Sequence, residues 1–187
     1  MTTHIDLLAN MPRVRLALVS RYQWFIHTTP EGNIESIRRY GLRTNRDAAP
    51  PPEVIAAIGA HAGAILCLHP LGAKLCPGGA NANLVLGIGQ EAPKRVSFAI
   101  IAEDLPALLG VDWSYTWPLV SHALNENPNW SVEEAVLNVA NEYGSIALYS
   151  PIVPSGLRVF CANNQPANPL SWKMLNAAQT DEIVRHT

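Results

Sequence analysis

Short apolar runs alternate with polar, turn-rich joins along the whole chain, without an internal repeat. Runs of aromatic and β-branched residues predict strands, because such side chains fit a pleated and partly buried surface. These segments are residues 24–26, 64–68, 84–88, 96–101, 146–149 and 157–160. Segments with helical spacing or capping residues lie between them. Strands interleaved with helices and joined by loops of mixed length indicate an α/β or α+β domain.

The clearest helix signal begins at Ser131. Ser131 is a good N-cap, and Glu134 stands three residues later, as in a capping box. An apolar stripe follows at helical spacing, formed by Val132, Ala135, Val136 and Val139. Weaker patterns predict a helical or irregular lead-in over 4–21, short helices over 53–60, 102–109 and 172–178, an irregular aromatic segment over 113–120, and loops over 43–52 and 72–83.

Residues 25–42, FIHTTPEGNIESIRRYGL, form a strand followed by a helix in the prediction. Thr29 is placed to cap the helix, and Pro30 suits its first position, where an N–H has no partner. Ile34 and Ile37 share one helix face, and Gly41 can end the helix with a positive φ. The join between strand and helix is therefore well defined.

Three polar side chains meet at this join. His27 and Thr29 lie two residues apart near the strand end, so they can share a face, and Asn33 follows one helical turn later. Polar groups beside free backbone N–H groups suit a ligand that carries phosphate and ribose. The structural alternatives are a half-buried His27 bonded to a backbone carbonyl and a Thr29 that only caps the helix.

Composition limits the classes of protein. The chain has 187 residues, of which 48% are hydrophobic and 15% charged, enough for one substantial core, so we expect a single domain over 1–187. No apolar run approaches the roughly 20 residues that cross a bilayer, and the start lacks a secretory pattern, which predicts a soluble, cytoplasmic protein without membrane contact. Three cysteines without a disulfide framework suggest reduced thiols, namely Cys67, Cys76 and Cys161.

Charge and metal-ligand spacing add little. A net charge of −2 argues against a strongly electrostatic nucleic-acid surface, but it leaves room for a local basic strip. The densest basic cluster directly follows the polar join, at Arg38, Arg39, Arg43 and Arg46. The histidines and cysteines lack a trustworthy zinc spacing, so no metal is expected.

Residues 25–42 resemble a motif of a known protein family. Its pattern of His, any residue, Thr, three residues, Asn, an aliphatic residue, any residue, Ser-Ile, three residues and Gly-Leu resembles the opening motif of DarT-type ADP-ribosyltransferase toxins and related proteins. The matching positions are His27, Thr29, Asn33, Ile34, Ser36, Ile37, Gly41 and Leu42. About a tenth of the chain is covered, and any strand followed by a capped helix would meet much of the motif.

The resemblance implies an α+β fold with two small mixed or antiparallel sheets around a cleft, flanked by helices. It implies that NAD is the substrate and that His27, Thr29 and Asn33 bind it. Arginines such as Arg43 and Arg46 would bind its phosphates. The ADP-ribose would pass to a macromolecular acceptor, a nucleic acid such as DNA or a protein, in a toxin or defence effector.

One position departs from the family. The resemblance implies a glutamate at the start of a late strand, where negative charge stabilises an oxocarbenium-like transition state. Ser145 stands there, and Glu142 lies three residues earlier. We therefore predict that His27 and Glu142 form the catalytic pair. The alternative is a catalytically inactive binding module or inhibitor that keeps the fold and contacts a protein partner.

Overall fold

Eight strands and five α-helices are present in the residues that the computed structural model describes, which are 4–47, 52–58, 64–74, 95–106, 109–110, 116–154, 157–160 and 174–175. The helices are α1 (His4–Arg21), α2 (Ile34–Tyr40), α3 (Pro52–Ile58), α4 (Thr116–Glu126) and α5 (Val132–Tyr143). The strands are β1 (Trp24–Pro30), β2 (Arg46–Asp47), β3 (Ala64–Pro70), β4 (Arg95–Ile101), β5 (Leu109–Gly110), β6 (Ile146–Leu148), β7 (Arg158–Phe160) and β8 (Met174–Leu175). This mixture confirms the α+β class.

The strands are joined in the order β5-β6-β3-β1-β4-β7-β8, all antiparallel, with β2 also paired to β3. β1 pairs with β4 along its whole length, from Trp24 to Pro30. Its pairing with β3 is confined to Phe25 opposite Pro70 and Ile26 opposite His69. Beyond that point β3 pairs with β6 and β2. Two ladders are thus joined by a short seam and separate after Ile26.

The main core lies on the face of β1 that carries Phe25. Helix α5 packs against α1 and α4, and buried side chains of all three helices form one core cluster with Phe25. Ile26 points the other way, as strand alternation requires, and contacts a smaller apolar cluster with Ala73 and Ala99. Polar side chains of β1 near the seam consequently stand at the boundary of a rigid, buried sheet.

Helix α1 is the lead-in segment, and its helical form is confirmed. Arg15 ties it to the residues after β4, since its guanidinium donates to the carbonyl of Leu105 at 2.6 Å and to that of Pro106 at 3.3 Å. Arg13 forms an ion pair with Glu133 of α5 at 2.5 Å. The guanidinium of Arg15 is half-buried and carries several N–H donors, so it can bond to several carbonyl oxygens at once.

The capping box of α5 is confirmed. Ser131 Oγ accepts from the Glu134 backbone N–H at 3.2 Å, and the Glu134 carboxylate accepts from the Ser131 N–H at 2.7 Å. The helix ends at Gly144, whose φ of 67° is left-handed. Because the capping box depends on residues within one turn, the sequence predicted this helix start correctly.

The join between β1 and α2 differs from the prediction. Thr29 and Pro30 belong to β1, and a 3₁₀ turn over Glu31–Asn33 precedes the α-helix, so Thr29 does not cap it. Pairing of Thr29 with Val96 and of Pro30 with Arg95 holds both residues extended. Gly41 does end α2 with a positive φ, of 75°.

Other local predictions were overridden by tertiary packing. Among the described residues of 102–109, where a helix was expected, Ala102–Asp104 form a 3₁₀ turn and Leu109 begins β5. Helix α4 occupies part of the segment expected to be irregular. Met174–Leu175 is a strand where a terminal helix was expected. The predicted strand over 84–88, most of the loop over 72–83, and Cys76 and Cys161 lie outside the described residues. No described helix is long and apolar enough to cross a bilayer.

Candidate functional site

His27 is the first residue of β1 beyond the seam with β3. Its Nδ1 lies 3.0 Å from the backbone oxygen of Cys67 in β3. A carbonyl oxygen only accepts hydrogen bonds, so Nδ1 carries the proton and donates. In the neutral ring Nε2 is then an acceptor. The carbonyl partner is the structural alternative considered above, and it leaves one ring nitrogen with acceptor capacity.

Burial lowers the pKa of His27, because desolvation disfavours the imidazolium, while the hydrogen bond to Cys67 acts in the opposite direction. The lowered pKa keeps the ring neutral near pH 7. A neutral ring can accept from a hydroxyl donor such as a sugar OH. It does not supply a positive charge for phosphate.

This depressed pKa predicts how stability depends on pH. The unfolded chain binds a proton at His27 below about pH 6.5, whereas the folded chain binds it only at a lower pH. The free energy of unfolding therefore falls on acidification. We expect the wild type to lose stability between about pH 6.5 and the lower folded pKa, with a slope of up to about 1.4 kcal/mol per pH unit. Urea unfolding at several pH values measures it.

His27→Gln is the matched variant, since glutamine keeps a donor for the Cys67 carbonyl without titrating in this range. Its free energy of unfolding should depend less on pH than that of the wild type. Equal slopes for the two proteins would contradict a depressed pKa at His27.

Thr29 and Asn33 form a second polar contact at the same join. Asn33 Nδ2 donates to Thr29 Oγ1 at 2.7 Å. Thr29 is only 6% exposed, whereas Asn33 is exposed. The 3₁₀ turn brings Asn33 back over the end of β1. Thr29 also shares a strand face with His27 because the two are two residues apart. The three predicted side chains therefore lie at one join, and their ligand role stays a prediction.

The two predicted arginines are placed differently. Arg43 is exposed, and its guanidinium carbon lies 5.5 Å from the centroid of the Tyr40 ring. Arg46 lies in β2, and its backbone pairs with Ile65 of β3. This pairing lies beyond the part of β3 that pairs with β1. The side chain of Arg46 lies outside the described part of the structure. A role for either arginine in binding phosphate stays a prediction.

Glu142 lies in the last turn of α5 and forms an ion pair with Lys74. Lys74 Nζ lies 2.6 Å from Glu142 Oε2, and Asn141 Nδ2 donates to Oε1 at 3.2 Å. The bond from Lys74 is the main cause that lowers the pKa of Glu142, so this residue is a carboxylate at neutral pH. No hydrogen bond joins it to His27, Thr29 or Asn33, all of which the structure describes.

The segment that carries Lys74 is also anchored through its backbone. The Lys74 N–H donates to the carbonyl of Asn141 at 2.8 Å, and Ala73 is fully buried. Ser145, where the family resemblance would have the acid, is 6% exposed just before β6. His69 Nδ1 contacts the carbonyl oxygen of Gly144. The end of α5 is thereby fixed against the end of β3.

The sequence analysis did not predict two hydrogen-bond partners. These are the carbonyl of Cys67, which bonds to His27, and the ammonium of Lys74, which bonds to Glu142. A backbone acceptor leaves no trace in residue type, since it depends on strand register. Lys74 stands in a stretch rich in glycine and alanine that predicts only a loop. No group of three or more metal-ligating side chains occurs within the described ranges.

Comparisons with known proteins give little. No family model matches the chain, and no curated protein matches it. A solved structure named EcPltA is similar over 83% of this chain and 83% of its own, with 12% sequence identity and a TM-score of 0.39. Similarity at this level does not establish a shared fold.

Proposed function

We propose that this chain is an NAD-dependent ADP-ribosyltransferase with an ADP-ribosyltransferase-like fold, acting on a macromolecular acceptor as a toxin or defence effector. The observation that carries the proposal is the His27 site. A neutral imidazole is oriented by the Cys67 carbonyl at the point where β1 and β3 separate, next to the bonded pair of Thr29 and Asn33. The motif of the resemblance therefore coincides with a structured polar site.

Each residue has a defined part in the proposed reaction. His27 Nε2 accepts from a hydroxyl of the nicotinamide ribose, and Asn33, whose amide is held by Thr29, offers its oxygen to the same ligand. Nicotinamide leaves with the electrons of its bond to the ribose, and the sugar carbon becomes positively charged. Glu142, an ionised carboxylate, stabilises that charge, and the acceptor then attacks the carbon and loses a proton.

Two ladders joined by a short seam also support the proposal, because the family fold has two small sheets around its cleft. The separation of β1 from β3 after Ile26 leaves His27 and Thr29 outside the β1–β3 ladder. Their backbone edge on the β3 side is therefore not used by that ladder.

Calorimetry with NAD, followed by incubation with labelled NAD and a panel of nucleic acids and proteins, tests the function. We expect binding and either a labelled product or release of nicotinamide. His27→Ala should abolish both, whereas His122→Ala, which removes an exposed histidine of α4, should not. Absence of NAD binding by the folded wild type would refute the proposal.

A second candidate is an inactive binding module with the same fold. The engagement of Glu142 by Lys74 and the serine at position 145 favour it, since neither leaves a free acid at the expected place. This candidate predicts NAD binding without turnover, or no NAD binding together with a stable complex with a protein. The labelled-NAD assay separates the two candidates.

A further inference from the structure

A small exposed patch follows the end of α2. It consists of Arg39, Tyr40, Arg43 and Val153 and is called here the Arg-Tyr patch. Tyr40 is 52% exposed and Val153 is 62% exposed, so both side chains present apolar surface to solvent. The guanidinium carbons of Arg39 and Arg43 lie 5.2 and 5.5 Å from the centroid of the Tyr40 ring.

The patch is held by backbone contacts. Leu42 and Ile152 exchange two backbone hydrogen bonds, each of 2.9 Å. Gly41 sits so close to this crossing that a Cβ on it would lie 3.1 Å from the Cα of Val153. Tyr40 and Val153 thus flank a rigid crossing of two segments. A backbone that is already fixed loses less entropy when a partner binds.

No described carboxylate neutralises the charge of the patch. Within the described residues, no carboxylate is ion-paired with Arg39 or Arg43, and both arginines are exposed. Stacking on the Tyr40 ring leaves the N–H edges of each guanidinium to donate to a carboxylate. A complementary partner therefore carries acidic groups.

The apolar part of the patch indicates the class of that partner. Tyr and Arg are enriched among the energetically important residues of protein–protein interfaces. A nucleic acid would gain little, because two cations neutralise few phosphates and the chain as a whole has a net charge of −2.

We propose that the Arg-Tyr patch is a docking surface for an acidic protein segment that carries aromatic or aliphatic side chains next to its carboxylates. The carboxylates pair with Arg39 and Arg43, and the apolar side chains cover Tyr40 and Val153. The inference does not rest on the proposed transferase activity.

A random copolymer of glutamate and tyrosine is the probe, with polyglutamate and a 20-nucleotide thymidine single strand as comparisons. Binding is measured by fluorescence anisotropy with labelled probes at two salt concentrations. We expect the copolymer to bind more tightly than polyglutamate and the single strand, and to retain more of its affinity at the higher salt. Carboxylate pairing alone would be screened, whereas apolar burial is not.

Variants locate the contact. Arg39→Ala combined with Arg43→Ala, and Tyr40→Ala alone, should each weaken copolymer binding by at least about tenfold, as expected for central interface residues. Tyr40→Phe should restore most of it. Arg21→Ala removes an exposed arginine of α1 and should match the wild type, and thermal unfolding shows that each variant is folded.

Three results would overturn the proposal. The first is equal or tighter binding of the single strand, which would make the surface a nucleic-acid site. The second is copolymer binding that the Arg39, Tyr40 and Arg43 variants leave unchanged. The third is concentration-dependent self-association in light scattering that Tyr40→Ala abolishes, which would make a second copy of this chain the partner.

Discussion

Gly41→Ala should destabilise the protein by at least about 2 kcal/mol. Gly41 has a φ of 75°, which alanine adopts only with strain, and an added Cβ would lie 2.0 Å from the carbonyl oxygen of Ile152. That oxygen accepts from the Leu42 N–H at 2.9 Å, so it cannot move without breaking the crossing of the two segments. Thermal unfolding should show a fall of several degrees.

Gly32→Ala is the matched control. Gly32 lies in the exposed 3₁₀ turn, and nothing approaches within 4 Å of the position of an added Cβ. Alanine there should change the melting temperature little, or raise it slightly by restricting the unfolded chain. Equal melting temperatures for Gly41→Ala and the wild type would show that the backbone at Ile152 yields.

Glu142→Gln should lower NAD turnover about 10²-fold to 10³-fold, the effect of removing one pre-organised electrostatic group from an active site. The amide is similar in shape to the carboxylate but carries no charge to stabilise the developing cation. NAD affinity, measured by calorimetry, should change little, because the charge is needed most in the transition state. Glu126→Gln, at an exposed glutamate of α4, is the control.

The contact between Lys74 and Glu142 gives this prediction a second readout. Lys74→Met removes the main cause of the depressed pKa of Glu142. The acid side of the pH profile of turnover should then move to higher pH, since Glu142 is protonated more readily. An unchanged profile in Lys74→Met, with full activity in Glu142→Gln, would show that Glu142 is not the acid.

Some features of the fold are encoded by neighbours along the chain. The start of α5 at Ser131 and the positive φ of Gly41 were both predicted, because caps and helix ends depend on residues within one turn. Thr29 shows the limit of such reasoning. Its sequence neighbours favour a helix cap, yet pairing with Val96 holds it in β1.

The candidate site was predicted only in part for the same reason. Sequence spacing brought His27, Thr29 and Asn33 to one join, since strand alternation and one helical turn are local geometry. The partner of His27 lies 40 residues away, and Lys74 lies 68 residues from Glu142. Such contacts depend on the register of β1, β3 and β6, which no short segment specifies.

The sequence by itself therefore determined that the domain mixes helices and strands, which strand carries His27, and which residue types lie beside it. The tertiary structure decided that β1 leaves β3 after Ile26 and that the Cys67 carbonyl orients the imidazole. It also decided that Lys74 engages Glu142. Local patterns follow from the geometry of a few bonds, whereas these contacts follow from how distant strands pair and how the core packs around them.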